Sequence, residues 1–386
     1  MDVRPPGTPA AWSGPQVERE RWEWRYGDAG DPAQLLAGFL AEHGLGGPLG
    51  AQRGDTAVAL LAGAAGCARL GGLPVGQPSP VPVVPEVVAV AYAAGAAPPP
   101  AEAGSWAAAG SWAPVDGWSR SWSDAEHGAA VEVVRAAIGR GEVYQANVVG
   151  HRSAAHRSDP VALAAAVASL PGATYRGVLA GAGWAVGCAS PEQLVRGEGD
   201  RITTVPIKGT LPVEPGSRER LLASSKDRAE HVMIVDLERN DLSRVATTGS
   251  VAVERLYELT EWSGLWQAAS LVAGRLRPDV STVEVLAALL PGGSVTGAPK
   301  RAACSLLAGL EPVGRGPAMG ALGLLWPGGL DLGLTIRTVA ATEDAVHLWA
   351  GGGITWGSDP DDEVQEAHAK AAPVLRALAR RPELRA

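Results

Sequence analysis

The sequence predicts an α+β fold. Helical and strand-like patterns succeed one another irregularly along the 386 residues, without the βαβ alternation of a doubly wound sheet. Several helical stretches carry their own start signals, Ser or Asp followed by Pro. Strand-like runs come as adjacent pairs separated by short turns, as in "YRGVLAGAGWAVGCAS". The length suffices for a large core and for two or three units. The patterns place a boundary near residue 122, between an N-terminal region (1–122) and a second region (123–386).

In the first region "DPAQLLAGFLAEHG" reads as a short helix with an Asp cap, Pro in its first turn and Gly at its end. The Ser-Trp-rich stretch "GAAPPPAEAGSWAAAGSWAPVDGWSRSWSD" reads as loops and short edge strands. From about 123 the patterns sharpen. "SDAEHGAAVEVVRAAIGRGE" is an amphipathic helix, with Ala130, Val133, Val134 and Ile138 at helical spacing. "VYQANVVG" reads as a strand and "DPVALAAAVASLPG" as a helix opened by Asp-Pro. A hairpin follows over "YRGVLAGAGWAVGCAS", then a strand over "DRITTVPIKGT". "SRERLLASSKDRAEHVMIVDLERNDLSRVA" reads as one or two helices. "STVEVLAALLPGG" and "APKRAACSLLAGLE" are helices around a Gly-rich turn. "LDLGLTIRTVAATEDAVHLWAGGGITWGSD" reads as two strands joined at Glu343-Asp344, and the final helix starts at "DPDDEVQEAHAK".

A net charge of −8 argues against nucleic-acid or anionic-membrane binding, which needs clustered Lys and Arg. No apolar run reaches the ~20 residues of a membrane span, and "MDVRPPGTPAAWSG" lacks a signal-peptide core. Three dispersed cysteines, Cys67, Cys188 and Cys304, without CxxC or zinc spacing suit reduced thiols and a cytoplasmic protein.

Five places invite a chemical reading. Glu363 and Glu366 are three apart and share a helix face. They suit either a solvated face, with Glu366 paired to Lys370, or a hard cation such as Mg²⁺. Glu230 stands at the edge of the apolar run "HVMIVDL", where it is a helix cap, a paired acid or a metal ligand. Downstream, Arg239, Asn240, Asp241 and Arg244 read as a polar network at the helix end. Arg337 is a lone charge mid-strand in "LGLTIRTV", whose planar fork suits a carboxylate. Lys208 is held among Pro, Gly and Thr in "TTVPIKGTL", in a chain poor in lysine. It is either a surface lysine or a nucleophile aimed by a rigid turn. "PGGSVTGAPK" fails as a phosphate loop, because Ala298 stands where the lysine should be, but its backbone N–H groups could meet a carboxylate.

Seven segments in order, "GEVYQANV", "ASPEQL", "PIKGT", "EHVMIVDLERNDLSRV", "PGGSVTGAPK", "LTIRT" and "GGGITWGSDPDDEVQEAHAK", resemble those of chorismate-utilising enzymes. That family includes component I of anthranilate and aminodeoxychorismate synthases, isochorismate synthases and salicylate synthases. The resemblance covers about 125 to 380 and implies two facing twisted sheets flanked by helices. It implies Mg²⁺ on Glu230, Glu366 and Glu363, holding the ring carboxylate of chorismate. It implies that Arg337 and the Gly353 backbone hold the enolpyruvyl carboxylate, while Thr296, Gly297, Thr210 and Gln145 line the substrate. Glu192 would be the general acid and Lys208 the nucleophile at C2. "PIKGT" resembles aminodeoxychorismate synthases, where anthranilate synthases resemble "PIAGT". The implied reaction is amination of chorismate by ammonia to 4-amino-4-deoxychorismate, for para-aminobenzoate and folate or a specialised metabolite. The implied ammonia source is a separate glutamine amidotransferase subunit or solution. Anthranilate, 2-amino-4-deoxyisochorismate or isochorismate synthesis are the alternatives within the family, and a non-catalytic chorismate-binding paralogue is the alternative outside catalysis. The chain has Gln267 where the family shows His, and Leu324 where it shows an aromatic residue.

Overall fold

The computed structural model describes residues 18–93, 112–262 and 265–380. The N-terminal stretch read for a signal peptide and residues 94–111 of the Trp-rich segment lie outside the described residues. The strands are β1 (Glu18–Trp24), β2 (Thr56–Ala62), β3 (Val87–Ala93), β4 (Ser119–Arg120), β5 (Gln145–Ala155), β6 (Tyr175–Gly181), β7 (Trp184–Ser190), β8 (Gln193–Glu198) and β9 (Arg201–Val205). They continue with β10 (Ile207–Pro212), β11 (Ala252–Trp262), β12 (Leu265–Arg275), β13 (Gly297–Ala298), β14 (Ala321–Trp326), β15 (Gly329–Leu334), β16 (Thr338–Thr342) and β17 (Ala345–Ile354). The helices are α1 (Pro32–Glu42), α2 (Ala64–Leu70), α3 (Asp124–Gly139), α4 (Pro160–Ala168), α5 (Ser217–Ala223), α6 (Ser225–Ser243), α7 (Thr282–Leu289), α8 (Lys300–Leu310) and α9 (Pro360–Ala379).

Among the described residues these strands make two antiparallel sheets. The first runs β1-β3-β2-β14-β15-β8-β9-β12-β10, with β11 on the other edge of β12. The second runs β13-β5-β17-β16-β7-β6, with β4 beside β5. Strands from residues 18–93 thus complete the sheet that carries β14. The main core lies between the sheets, where Leu194, Leu330 and Leu332 of the first meet Leu179, Trp184 and Val186 of the second. The α4 and α9 helices cover the outer face of the second sheet through Leu163, Val167, Ala371 and Val374. Helices α3 and α8 pack Val131, Val134 and Leu307 on β5. Within the described part of the Trp-rich segment, Trp112 and Trp118 pack on the α4/α9 core, and β4 is a two-residue edge strand.

The helix starts follow their sequence signals. Asp31 caps α1 ahead of Pro32, and Asp359 caps α9 ahead of Pro360. Ser123 and Glu126 form a capping box at α3. Val133 of α3, expected on the apolar stripe, is exposed; Val131 and Ala137 take its place against β5. The run "HVMIVDL" is not apolar on every side: Ile234 and Val235 are buried but Val232 is 45% exposed, so α6 packs by one face.

The strand over residues 201–212 holds one register along β12 as far as Lys208, with Thr204 opposite Val272 and Ile207 opposite Ala269. Pro206 divides it into β9 and β10 because proline has no N–H to give, yet its carbonyl still accepts from Ser270 N at 3.2 Å. The stretch over 329–354 is three strands rather than two. The turn at Glu343-Asp344 joins β16 to β17, but an earlier break at Arg337 carries the chain from β15 in the first sheet to β16 in the second. A second crossing, from β7 in the second sheet to β8 in the first, passes through Pro191 and Glu192. The two crossings are tied by Leu334 N to Glu192 O (3.1 Å) and Ala189 N to Arg337 O (3.2 Å).

Asp241, read as part of a polar network at the end of α6, is buried. It pairs with Lys300 at 2.6 Å, and the two side chains are 4% and 10% exposed. Lys300→Met should cost about 3–5 kcal/mol, because it leaves a buried carboxylate without its counter-charge. Urea denaturation at neutral pH measures this, and an unchanged midpoint would contradict it. No described helix is long and apolar enough to cross a membrane.

Candidate active site

The two crossings, α6, β10, β17 and the start of α9 converge between the sheets. Lys208 is the second residue of β10, opposite Ala268. Gly209, at φ +75°, opens a bulge between Lys208 and Thr210. A side chain there would be strained, so the bulge depends on glycine. Lys208 is therefore aimed by a bulge inside a strand rather than by a turn at its end. Lys208 is half-buried, with its terminal nitrogen turned into the pocket toward Gly353. That nitrogen stands 3.1 Å from where a Cβ on Gly353 would sit, and Gln145 Nε2 would be only 2.1 Å from the same point. Gly353→Ala should thus displace both side chains. Turnover should fall about 10²-fold with the circular dichroism spectrum kept, as for a misplacement of about an ångström.

Burial pushes the Lys208 amine below its usual range, and the charge of Lys370 adds to this; Glu230, Glu192 and Glu366 oppose it. Glu192 moves the other way. Burial raises its carboxyl, against the Ser294 hydrogen bond, the charge of Lys208 and the Ile207 N–H. Its Oε1 accepts from Ser294 Oγ at 2.8 Å. Burial thus drives an acid and an amine of one pocket toward their neutral forms, the pattern of a paired acid and base.

Arg337 is not mid-strand. It sits in the crossing, half-buried, with φ +49°. A left-handed arginine is held there by its surroundings at a cost, a feature that clusters at functional sites. Burial lowers its pKa and Glu192 raises it, but the guanidinium stays charged.

The three metal candidates flank the same strand. Glu230 is not a first-turn cap. It lies inside α6, which begins at Ser225, and accepts from Thr355 Oγ1 at 3.2 Å. Glu363 is buried and accepts from Ser358 Oγ at 2.6 Å. Glu366 is exposed and makes the i,i+4 pair with Lys370, at 2.6 Å. A Cβ on Gly352 would lie 2.8 Å from Glu363 Oε2 and 3.8 Å from Glu366 Oε1. Lys370 Nζ is also 3.8 Å from that point, so the bare glycine leaves a space walled by one ammonium and two carboxylates, whose oxygens suit a hard cation. Among the described residues no three Asp, Glu, His or Cys side chains converge to enclose an ion. Mg²⁺ does not require such a cage, since it takes one or two carboxylates with substrate oxygens and water.

Gln145, at the start of β5, is buried, and its Oε1 has no hydrogen-bond partner. Thr296 Oγ1 donates to Gly292 O at 2.7 Å, closing the Gly-rich turn, and Gly297 pairs with Ala146 of β5. Thr210 stands opposite Gln267. Gln267 is buried one residue from Ala268, the partner of Lys208. Leu324 lies in β14, opposite Asp331. Ser294, Lys370 and His231 act on this pocket without having been singled out for it. His231 is buried against Ser270 Oγ, and burial and then the charge of Lys208 lower its pKa to about 4.

Residues 105–376 match the family model described as chorismate binding enzyme. An aminodeoxychorismate synthase of Streptomyces pristinaespiralis is 40% identical over 64% of this chain and 36% of its own length. An anthranilate synthase component 1 of Haloarcula marismortui is 38% identical over 64% of this chain and 52% of its own. An aminodeoxychorismate synthase component 1 of Salmonella typhimurium is 35% identical, over 66% and 57%. The match thus spans about half the length of such curated relatives. Anthranilate synthase component I of Streptococcus pneumoniae shares the fold, with a TM-score of 0.78 at 23% identity over 97% of this chain and 94% of that one.

Proposed function

Since the chain belongs to the family of chorismate-binding enzymes, we propose that it converts chorismate and ammonia to 4-amino-4-deoxychorismate. The observation that carries this reading is Lys208, whose terminal nitrogen shares a pocket with Glu192 while burial shifts the two groups toward neutrality. At its ordinary pKa of ~10.4 a lysine is less than ~0.1% neutral at pH 7, so a nucleophilic lysine needs such a site.

Arg337 and the Gly353 N–H hold the enolpyruvyl carboxylate. Gln145, Thr210, Thr296 and Gly297 line the ring. Glu230, Glu366 and Glu363 would hold Mg²⁺, which when bound neutralises the ring carboxylate. Lys208 Nζ adds to C2, the double bonds migrate, and Glu192 gives its proton to the departing 4-hydroxyl, which leaves as water. Ammonia then adds at C4, the double bonds return, and Lys208 departs. Without a residue at C2, ammonia would itself add there and give the 2-amino isomer. A separate glutamine amidotransferase subunit supplies the ammonia; the name "component 1" carried by two of the relatives supports this. The product serves para-aminobenzoate and folate synthesis or a specialised metabolite.

Chorismate consumption should require both ammonium and Mg²⁺. Stripping the protein with EDTA should abolish it and added Mg²⁺ should restore it, while glutamine alone should not replace ammonium. Full turnover in EDTA would contradict the metal assignment.

A further inference from the structure

A second cavity, of about 60 Å³, shares Thr296 and Pro291 with the Gly-rich turn of the candidate site. It is too small for chorismate and has room for a few water-sized molecules. Glu86, just before β3, lines it and is 7% exposed. Its backbone is fixed, N–H to Trp24 O at 2.9 Å and C=O from Gly63 N at 2.8 Å. Its carboxylate finds neither a hydrogen-bond donor nor a cation among the described residues.

The other charged groups of this cavity cancel. Glu311 pairs with Arg315 at 2.6 Å and also accepts from Val149 N. The remaining Arg315 donors go to Val295 O and Asn147 O. Burial raises the Cys304 thiol, which stays neutral. The ionised Glu86 therefore leaves one uncompensated negative charge in a water-sized space. A buried carboxylate in that position takes either a proton or a small monocation.

We infer that this cavity is a binding site for one ammonium ion, held by Glu86 and feeding the amination pocket across the Gly-rich turn. The inference rests on the proposed use of ammonia as nucleophile. Ammonium is the main species at neutral pH but has no lone pair to attack with. One proton passes from the ion to the Glu86 carboxylate, leaving neutral ammonia and a carboxylic acid, which returns the proton to water. Burial alone holds Glu86 up near about 7, so it can take and release a proton near neutrality. Thr296 lines this cavity, and Ser294 of the same Gly-rich turn bonds Glu192 of the amination pocket, so the turn stands between the two.

The test uses the full chain with ammonium, potassium and sodium chlorides at one ionic strength and pH 7.5. Ammonium should raise the melting temperature of the wild type more than potassium or sodium, and Glu86→Gln should remove that difference. In the amination assay Glu86→Gln should raise the KM for ammonium at least tenfold and leave the KM for chorismate within twofold. Ala308→Met, which fills the same cavity from α8, should do likewise and covers the case of an unfolded Glu86 variant. An unchanged KM for ammonium in both variants, or equal stabilisation by potassium, would overturn the inference. Ammonium-specific stabilisation that Glu86→Gln removes, in a wild type that makes no 4-amino product, would keep this site and remove the proposed reaction.

Discussion

Lys208→Ala is expected to lower 4-amination by at least about 10³-fold, as removing a covalent nucleophile does. The Lys208 nitrogen near Gly353 leaves no second amine to take its place: Lys370, the other lysine of the pocket, is engaged by Glu366 and by Gly351 O at 2.9 Å. The alanine variant also opens space beside C2, so any residual amine product should carry nitrogen at C2. Lys208→Arg separates two roles. An arginine keeps the positive charge but never becomes a neutral nucleophile. It should be as inactive as the alanine variant. Substantial 4-amination by the arginine variant would mean that Lys208 acts by charge alone.

Glu192→Gln is expected to lower kcat about 10²- to 10⁴-fold, the range for losing a general acid. Glutamine keeps the shape and can still bond Ser294, so the fold should survive. The direction of the shift allows a separate check. Because burial raises the folded-state pKa of Glu192, its stabilising contribution is greatest below the ordinary carboxylate range and is lost as pH rises through the raised value. Glu192→Gln should therefore be at least as stable as the wild type at pH 8 while nearly inactive. In the wild type, turnover needs Lys208 neutral and Glu192 protonated at the same time, so it should rise and then fall with pH. Because the two groups interact, these limbs report the pair. The variant should lose the alkaline limb. A variant that keeps a full bell-shaped profile would rule out Glu192 as the acid.

Much of the fold was legible because its signals are local. Asp31-Pro32, the Ser123/Glu126 box and Asp359-Pro360 each satisfy backbone donors within a few residues, and such patterns do not depend on the rest of the chain. The hairpin of β6 and β7 is local for the same reason. What could not be read is where the chain changes sheets. "LGLTIRTV" is apolar on both sides of Arg337, so its pattern is that of one strand. Only the pairing of β15 and β16 with different neighbours shows the break. The same long-range pairing brings Glu192 beside Arg337.

At the site, the two opposite burial-driven shifts are visible only once distant segments meet, because they come from enclosure and not from neighbours in sequence. Ser294 reads as an ordinary turn residue until it is seen on Glu192. Lys370 reads as the partner of Glu366, which it is, but its influence on Lys208 comes from the packing of α9 over β17. Glu86 gave no sign in the sequence, since a lone acid before a strand is usually at the surface.

Lysine addition at C2 is what directs nitrogen to C4. Incubation of the wild type with chorismate, Mg²⁺ and ¹⁵N-ammonium, followed by NMR of the isolated product, tests this most directly. The product should carry ¹⁵N bonded to C4, with the C3 enolpyruvyl ether intact. ¹⁵N at C2, as in the 2-amino isomer or anthranilate, would contradict it.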